Sequence, residues 1–189
     1  MGTILKRLLL LLIGVNVFAT GAKAQLNTGG ELEVNFLIPP IALLDIEPGI
    51  NNTIYFSVSS AIESGASPQI ENTNNESLWL NYSSALEGNL GSRIIIAQIA
   101  GENLPEGITL NVEASQYSGV GDGQFGQPTG KVALSTQPRT ILTGVGNCFT
   151  GDGVGNGHSL TFSIEVEDYS KISSVGESSF TILYTISDN

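Results

Sequence analysis

The chain has 189 residues, 7 of them basic and 18 acidic, for a formal net charge of −11, and it has one cysteine. So few Lys and Arg residues exclude a phosphate backbone or an anionic membrane surface as a natural partner. The single cysteine, Cys148, excludes an intrachain disulfide, so the fold must rest on an apolar core, which a chain of this length can build.

Residues 1–24 read as an export signal. Lys6 and Arg7 form a positive start, Leu8 to Ala19 is an apolar run, and Ala22-Lys23-Ala24 is a small-residue cleavage pattern before Gln25. The run falls short of the ~20 apolar residues a membrane span needs, and no second run of that length follows. The expectation is therefore a secreted, periplasmic or cell-surface protein, with residues 25–189 forming one domain and no membrane span. Cleavage would remove three of the seven basic residues, leaving Arg93, Lys131, Arg139 and Lys171 against 18 acids, a charge near −14 that favours solubility.

Along the rest of the chain, apolar residues recur with period two, the signature of half-buried strands. Leu32, Val34 and Phe36 alternate first, then Ile54, Phe56 and Val58, then Leu78, Leu80 and Tyr82. The continuous runs Ile41–Leu44 and Ile94–Ile99 predict strands buried on both faces. Residues 60–75 are polar and aperiodic and read as a loop, with room for one helical turn. A Leu104-Pro105-Glu106-Gly107 turn precedes the alternation of Ile108, Leu110, Val112 and Ala114. Val132–Leu134 and Thr140–Leu142 are shorter candidates. Leu160, Phe162, Ile164 and Val166 alternate most cleanly, and Phe180, Ile182, Tyr184 and Ile186 close the chain. No helical stripe interrupts them. Eight to ten strands divided by turn-rich segments predict an all-β fold, a single immunoglobulin-like antiparallel β-sandwich.

Candidate chemistry is sparse. Gly121, Gly123 and Gly126 fit G-x-G-x-x-G, but Pro128 and Gly130 follow where a dinucleotide site needs a helix. Gly130-Lys131 lacks the spacing of a P-loop. Asp122, Asp152 and Asn156, in two glycine-rich loops, are the candidate calcium ligands, although a hard cation wants six or more oxygens. The bland alternative is that these loops are glycine-rich connections. His158 is the sole histidine, with no G-x-S-x-G elbow to accompany it, and reads as the start of a strand. Cys148 reads as a small buried hydrophobe, with an intermolecular disulfide or a nucleophile as sharper readings. Glu165 and Glu167 share a strand face and would suit a glycosidase pair or a solvated surface. Trp79, which alternates away from Leu78 and Leu80, and Tyr82 are the candidate platform for a glycan, with Trp79 otherwise a cover for packed residues. Asn51, Asn75 and Asn81 begin glycosylation sequons.

The C-terminal stretch Gly176-Glu-Ser-Ser-Phe-Thr-Ile-Leu-Tyr-Thr-Ile-Ser-Asp-Asn189 resembles the last strand of bacterial fimbrial subunits and related spore-coat-like surface sandwich domains. Leu104-Pro-Glu-Gly-Ile-Thr-Leu-Asn-Val112 resembles a turn-plus-strand of the same domains. The resemblance implies subunits that assemble when an extended N-terminal segment of one fills a groove in the next. Here Gln25 to Gly30 and the alternation from Leu32 to Ile38 would serve. The chain departs from those subunits in lacking their disulfide and in having Asp188, not an aromatic, as its penultimate residue. The leading expectation is a non-enzymatic structural or adhesion module whose partners are itself or other surface subunits. The alternatives are a monomeric glycan- or calcium-binding sandwich and, third, a small secreted hydrolase.

Overall fold

A computed structural model describes residues 32–48, 52–59, 62–67, 69–71, 74–88, 91–101, 104–173 and 178–189. The predicted export signal, Gln25 to Gly30, Asn51 of the first sequon and the glycine opening the C-terminal stretch lie outside them.

The chain is all-β. The long strands are β1 (Ile41–Glu47), β4 (Asn74–Ala85), β5 (Arg93–Ala100), β6 (Ile108–Ala114), β10 (Arg139–Val145), β12 (His158–Val166) and β13 (Thr181–Asp188). Short pairings are β2 (Ser57–Ser59) with β3 (Gln69–Glu71), and β7 (Asp122–Gly123), β8 (Gln127–Pro128), β9 (Val132–Ala133) and β11 (Cys148–Phe149). One 3₁₀ turn, Tyr169–Lys171, is capped by the Asp168 side chain. No helix among the described residues is long and apolar enough to cross a membrane.

Two antiparallel sheets hold the core. The first runs β7-β11-β4-β12-β6-β9, with β1 on the far edge of β4; the second runs β13-β5-β10-β8. A separate two-stranded sheet joins β2 and β3. Among the seven long strands, the four-plus-three split of an immunoglobulin constant domain is present, with the fifth and sixth strands exchanged between sheets. β4 is the spine of the first sheet. Residues 79–85 pair with β1 on one side, while residues 74–80 pair with β12 and 83–84 with β11 on the other.

The alternations do what period two dictates. Leu78, Leu80 and Tyr82 of β4, Ile95, Ala97 and Ile99 of β5, and Leu160 and Phe162 of β12 point into one core cluster. Ile141 and Leu142 are both buried although adjacent, because β10 shifts register against β5 between Thr140 and Leu142 and again before Val145. Such a bulge turns consecutive side chains to one face.

Five strand expectations are corrected. Of the alternation Ile54, Phe56 and Val58, only Val58 lies in a strand, the short β2, and it is 51% exposed. Residues 32–36 form no strand: Leu32 and Phe36 are each 86% exposed. Alternation alone does not order a segment that has no neighbouring strand to pair with. Ile41–Leu44 is not buried on both faces, because β1 is an edge strand and Leu43 is 65% exposed. Ile94–Ile99 is central in its sheet, yet only Ile95, Ala97 and Ile99 face the core; Ile94, Ile96 and Gln98 are half-buried on the outer face. The polar stretch 60–75 contains β3 and the first residues of β4, strands drawn in by their partners despite weak periodicity.

The charged group of the interior is Arg93, 5% exposed at the head of β5. Its Nε donates to Asp188 Oδ1 of β13 at 2.7 Å, and Nη1 donates to the Ile41 carbonyl of β1, to Ser84 Oγ of β4 at 3.1 Å and to the Ala85 carbonyl at 3.4 Å. One guanidinium thus ties both sheets and both outer strands together. Hydrogen bonds to a charged group are worth about 1.5–3 kcal/mol each. Arg93→Met is expected to lower unfolding free energy by about 2–3 kcal/mol in a denaturant titration. Asp188→Asn, at a carboxylate whose side chain is 56% exposed, should cost under about 1 kcal/mol.

Candidate interaction surface

The glycine-rich loops are built for close packing. A Cβ on Gly157, which has φ +85°, would stand 2.1 Å from the Leu80 carbonyl oxygen, and one on Gly121 would stand 2.0 Å from that of Phe149. Only glycine lets these backbones lie against β4 and β11. Above them, Asn156 acts as a clamp. Its Oδ1 accepts from the Val120 N–H at 3.2 Å, its Nδ2 donates to the Asp152 carbonyl at 2.6 Å, and its own carbonyl accepts from Asn81 Nδ2. Asn81 Oδ1 accepts from the Gly153 N–H at 2.7 Å, so residues 151–157 are pinned over β4.

Beneath the loops lies a buried polar chain. His158 is 0% exposed. Its Nδ1 sits 2.7 Å from the Ser115 carbonyl, which can only accept, so Nδ1 carries the hydrogen. Nε2 then accepts from the Tyr82 hydroxyl at 2.9 Å, and that hydroxyl accepts from the Gly126 N–H at 2.9 Å. Tyr117 stacks on Phe125 with centroids 3.5 Å apart and presents its ring edgewise to His158. Burial lowers the His158 pKa from its ordinary value, with the bond to Ser115 opposing, and burial raises that of Tyr82. The neutral imidazole is thus consumed by structure, with the Tyr82 hydroxyl and the Ser115 carbonyl as its partners.

Cys148 is buried, its thiol pushed up to about 11 by burial, which keeps it protonated and a poor nucleophile. Asp122 is exposed and its Oδ1 accepts from the Gly123 N–H at 2.8 Å. Asp152 is exposed, and its contact with Asn156 is through its backbone. Both amide ends of Asn156 are engaged by protein, so this calcium candidate serves as a loop fastener. Among the described residues no group of three or more His, Cys, Asp or Glu side chains is gathered closely enough to hold a metal ion. Glu165 pairs with Lys131, while Glu167 lies beyond the end of β12 and both are exposed. Trp79 faces outward, half-buried, between Glu47 of β1 and Ser159 of β12. Asn81, 5% exposed, has its sequon amide committed to Asn156.

No protein-family model, curated protein or solved structure matches this chain.

Two long edge strands lie along one side of the sandwich. β1 and β13 are each paired on one edge only, to β4 and β5, and they border each other across the gap between sheets. Their inward side chains (Leu44 and Ile46, then Ile182, Tyr184 and Ile186) are only partly buried against the core. On the opposite side, Leu110, Val112, Leu142 and Val145 are all buried. Ahead of β1, Leu32, Val34, Phe36 and Ile38 are 86%, 58%, 86% and 80% exposed. An open hollow of about 440 Å³ beside the start of β1 is lined by Ile41, Ser83, Asp122, Cys148 and Phe149 among others.

Two outcomes are expected from the buried chain. Tyr82→Phe strips the Gly126 N–H and His158 Nε2 of their partner and should cost about 2–4 kcal/mol, read from denaturant unfolding. The lowered pKa of His158 means that the unfolded chain takes up its proton first. Its contribution is therefore complete above about pH 6.5 and declines as pH falls below that value. Melting temperature followed from pH 8 to 5 should show this decline, and His158→Gln, less stable throughout, should lack that component.

Proposed function

We propose that the protein is an exported, non-enzymatic structural or adhesion module of the cell surface that self-associates by strand addition. In this reading the segment Leu32–Ile38 of one copy pairs with a free sheet edge on the β1/β13 side of another. The observation that carries it is the exposure of the alternating side chains of that segment ahead of two edge strands whose inward residues are incompletely covered. Alternating apolar residues on an extended chain are what an open edge accepts: the main chain supplies the ladder and every second side chain enters the gap. The non-enzymatic part is supported by the use of His158, Tyr82 and Cys148 in packing and backbone bonding.

Magnitudes favour a contact that needs both parts. Burying a Leu, Val, Phe or Ile side chain is worth about 1.5–3 kcal/mol. Four of them are of the same order as the roughly 4–15 kcal/mol that association costs. Side chains alone therefore bring the contact near balance, and the main-chain ladder decides the outcome.

The test is the full chain, expressed with its own leader, in sedimentation velocity over a concentration series. Larger species growing with concentration are expected. Phe36→Asp, at a position 86% exposed, should abolish them with an unchanged melting temperature. A wild-type protein that sediments as monomer at every concentration would overturn the proposal.

A further inference from the structure

We infer that β13 is a self-complementary edge, and that two copies of the chain pair through it about a two-fold axis at Tyr184. The contact uses no residue of Leu32–Ile38. It stands apart from the strand addition proposed above, to which it leaves the β1 edge.

Edge strands that must stay unpaired are usually short, charged, bulged or interrupted by proline. Every other terminal strand among the described residues is guarded in one of these ways. β7, β8 and β9 have 2 residues each, and β8 contains Pro128. β2 and β3 have 3 each. β1 carries Asp45 and Glu47. By contrast, β13 has 8 residues, no proline and no register shift against β5. Its one charged residue, Asp188, is its last and is bonded to Arg93. Thr181, Leu183, Thr185 and Ser187, on its outer face, are exposed and uncharged.

The free main-chain groups of β13 fall in a defined phase. Asp188 is in register with Arg93, so Asn189 stands opposite Ser92, and the Asn189 N–H donates to the Ser92 carbonyl at 3.2 Å. Antiparallel ladders alternate along the strand. Thr181, Leu183, Thr185 and Ser187 therefore bond toward β5, while the N–H and C=O groups of Ile182, Tyr184 and Ile186 point away from it. An antiparallel second copy completes the ladder only by setting these three residues opposite one another. Centred on Tyr184, the pairing sets Ile182 against Ile186, Tyr184 against Tyr184 and, between them, Leu183 against Thr185. Centred on Leu183, it would reach back past Thr181 and out of the strand. Centred on Thr185, it would set Asp188 against Ile182 and draw the carboxylate bonded to Arg93 into the contact.

Charge and burial favour the same axis. Copies carrying a formal −11 repel, so association must run through uncharged surface. About Tyr184, the two Asp188 carboxylates are carried to opposite ends of the contact. The Tyr184 hydroxyl is buried and has no hydrogen-bond partner among the described residues. Leaving a buried hydroxyl unmet is costly. The axis sets the second copy's Tyr184 directly opposite, with Cβ atoms about 5 Å apart, so that one phenol can donate to the other. Each copy contributes the same surface, so the contact is isologous and closes at two. It joins two four-stranded sheets into one continuous sheet.

The experiment tests the register by charge. Every chain is full length and carries Phe36→Asp, which removes the growing species of strand addition and leaves a closed dimer visible in sedimentation velocity. To this parent are added either Leu183→Lys/Thr185→Lys or Leu183→Lys/Thr185→Glu, at two exposed positions. The series runs to high protein concentration, because a single-edge contact is small. The parent is expected to pass from monomer to dimer. The first pair sets like charges across the axis and should weaken dimerisation at least tenfold. The second sets opposite charges across it and should restore the dimer, with all three chains melting alike at low concentration. A parent that stays monomeric at every concentration would overturn the inference, and so would two pairs that dimerise equally. Either result leaves strand addition to be judged by the wild-type series.

Discussion

At the end of the sandwich where β1 starts and β13 finishes, Arg93 sets its guanidinium among the carbonyls of Ile41 and Ala85, the hydroxyl of Ser84 and the carboxylate of Asp188. A buried cation is tolerated only when its donors are satisfied, and here the acceptors come from both sheets. That requirement fixes the two edge strands to one point. β1 cannot slide along β4, and β13 cannot fray from β5, without leaving the charge unmet. The edges are therefore held in place even though each lacks a second strand neighbour.

The middle of the molecule solves a related problem with neutral groups. His158, Tyr82, Ser115 and Gly126 form a chain in which every donor meets an acceptor, and Asn81 and Asn156 do the same for the loop above. Residue types that often carry chemistry are here committed to joining β4, β12 and the glycine-rich connections. The two sides of the sandwich differ in how they cover the core. One side of the sandwich ends in β8 and β9 and buries Leu110, Val112, Leu142 and Val145. The other ends in β1 and β13, whose inward Leu44, Ile46, Ile182, Tyr184 and Ile186 are partly open. The exposed apolar residues from Leu32 to Ile38 precede β1 in the chain.

Much of this was legible in the sequence, and its failures share a cause. Strands at Leu78–Tyr82, Ile108–Ala114, Leu160–Val166 and Ile182–Ile186 were readable because each alternation faces one core. Trp79 was readable as outward by the same parity. Leu32–Phe36 has equally good alternation and forms no strand, since pairing is a property of two segments. β3 and the start of β4 are strands with poor alternation, because their partners supply what periodicity does not. Arg93 left one signal, a cation at the head of an apolar run, and only its neighbours reveal why it is there. The lone histidine was readable as a strand start but not as Tyr82's partner, since His158 and Tyr82 are 76 residues apart and meet through the β4–β12 register.

By itself the sequence determined the strand-rich class, the lack of disulfides and the acidic surface. Composition and period two are local properties that no folding can alter. Tertiary structure alone decided which strands share a sheet, including the exchange of β10 and β12, and which edges stay open. It also decided that the glycine loops serve close packing. Those outcomes depend on hydrogen bonds and contacts between residues far apart in the chain, and a linear pattern does not encode which distant segment completes them.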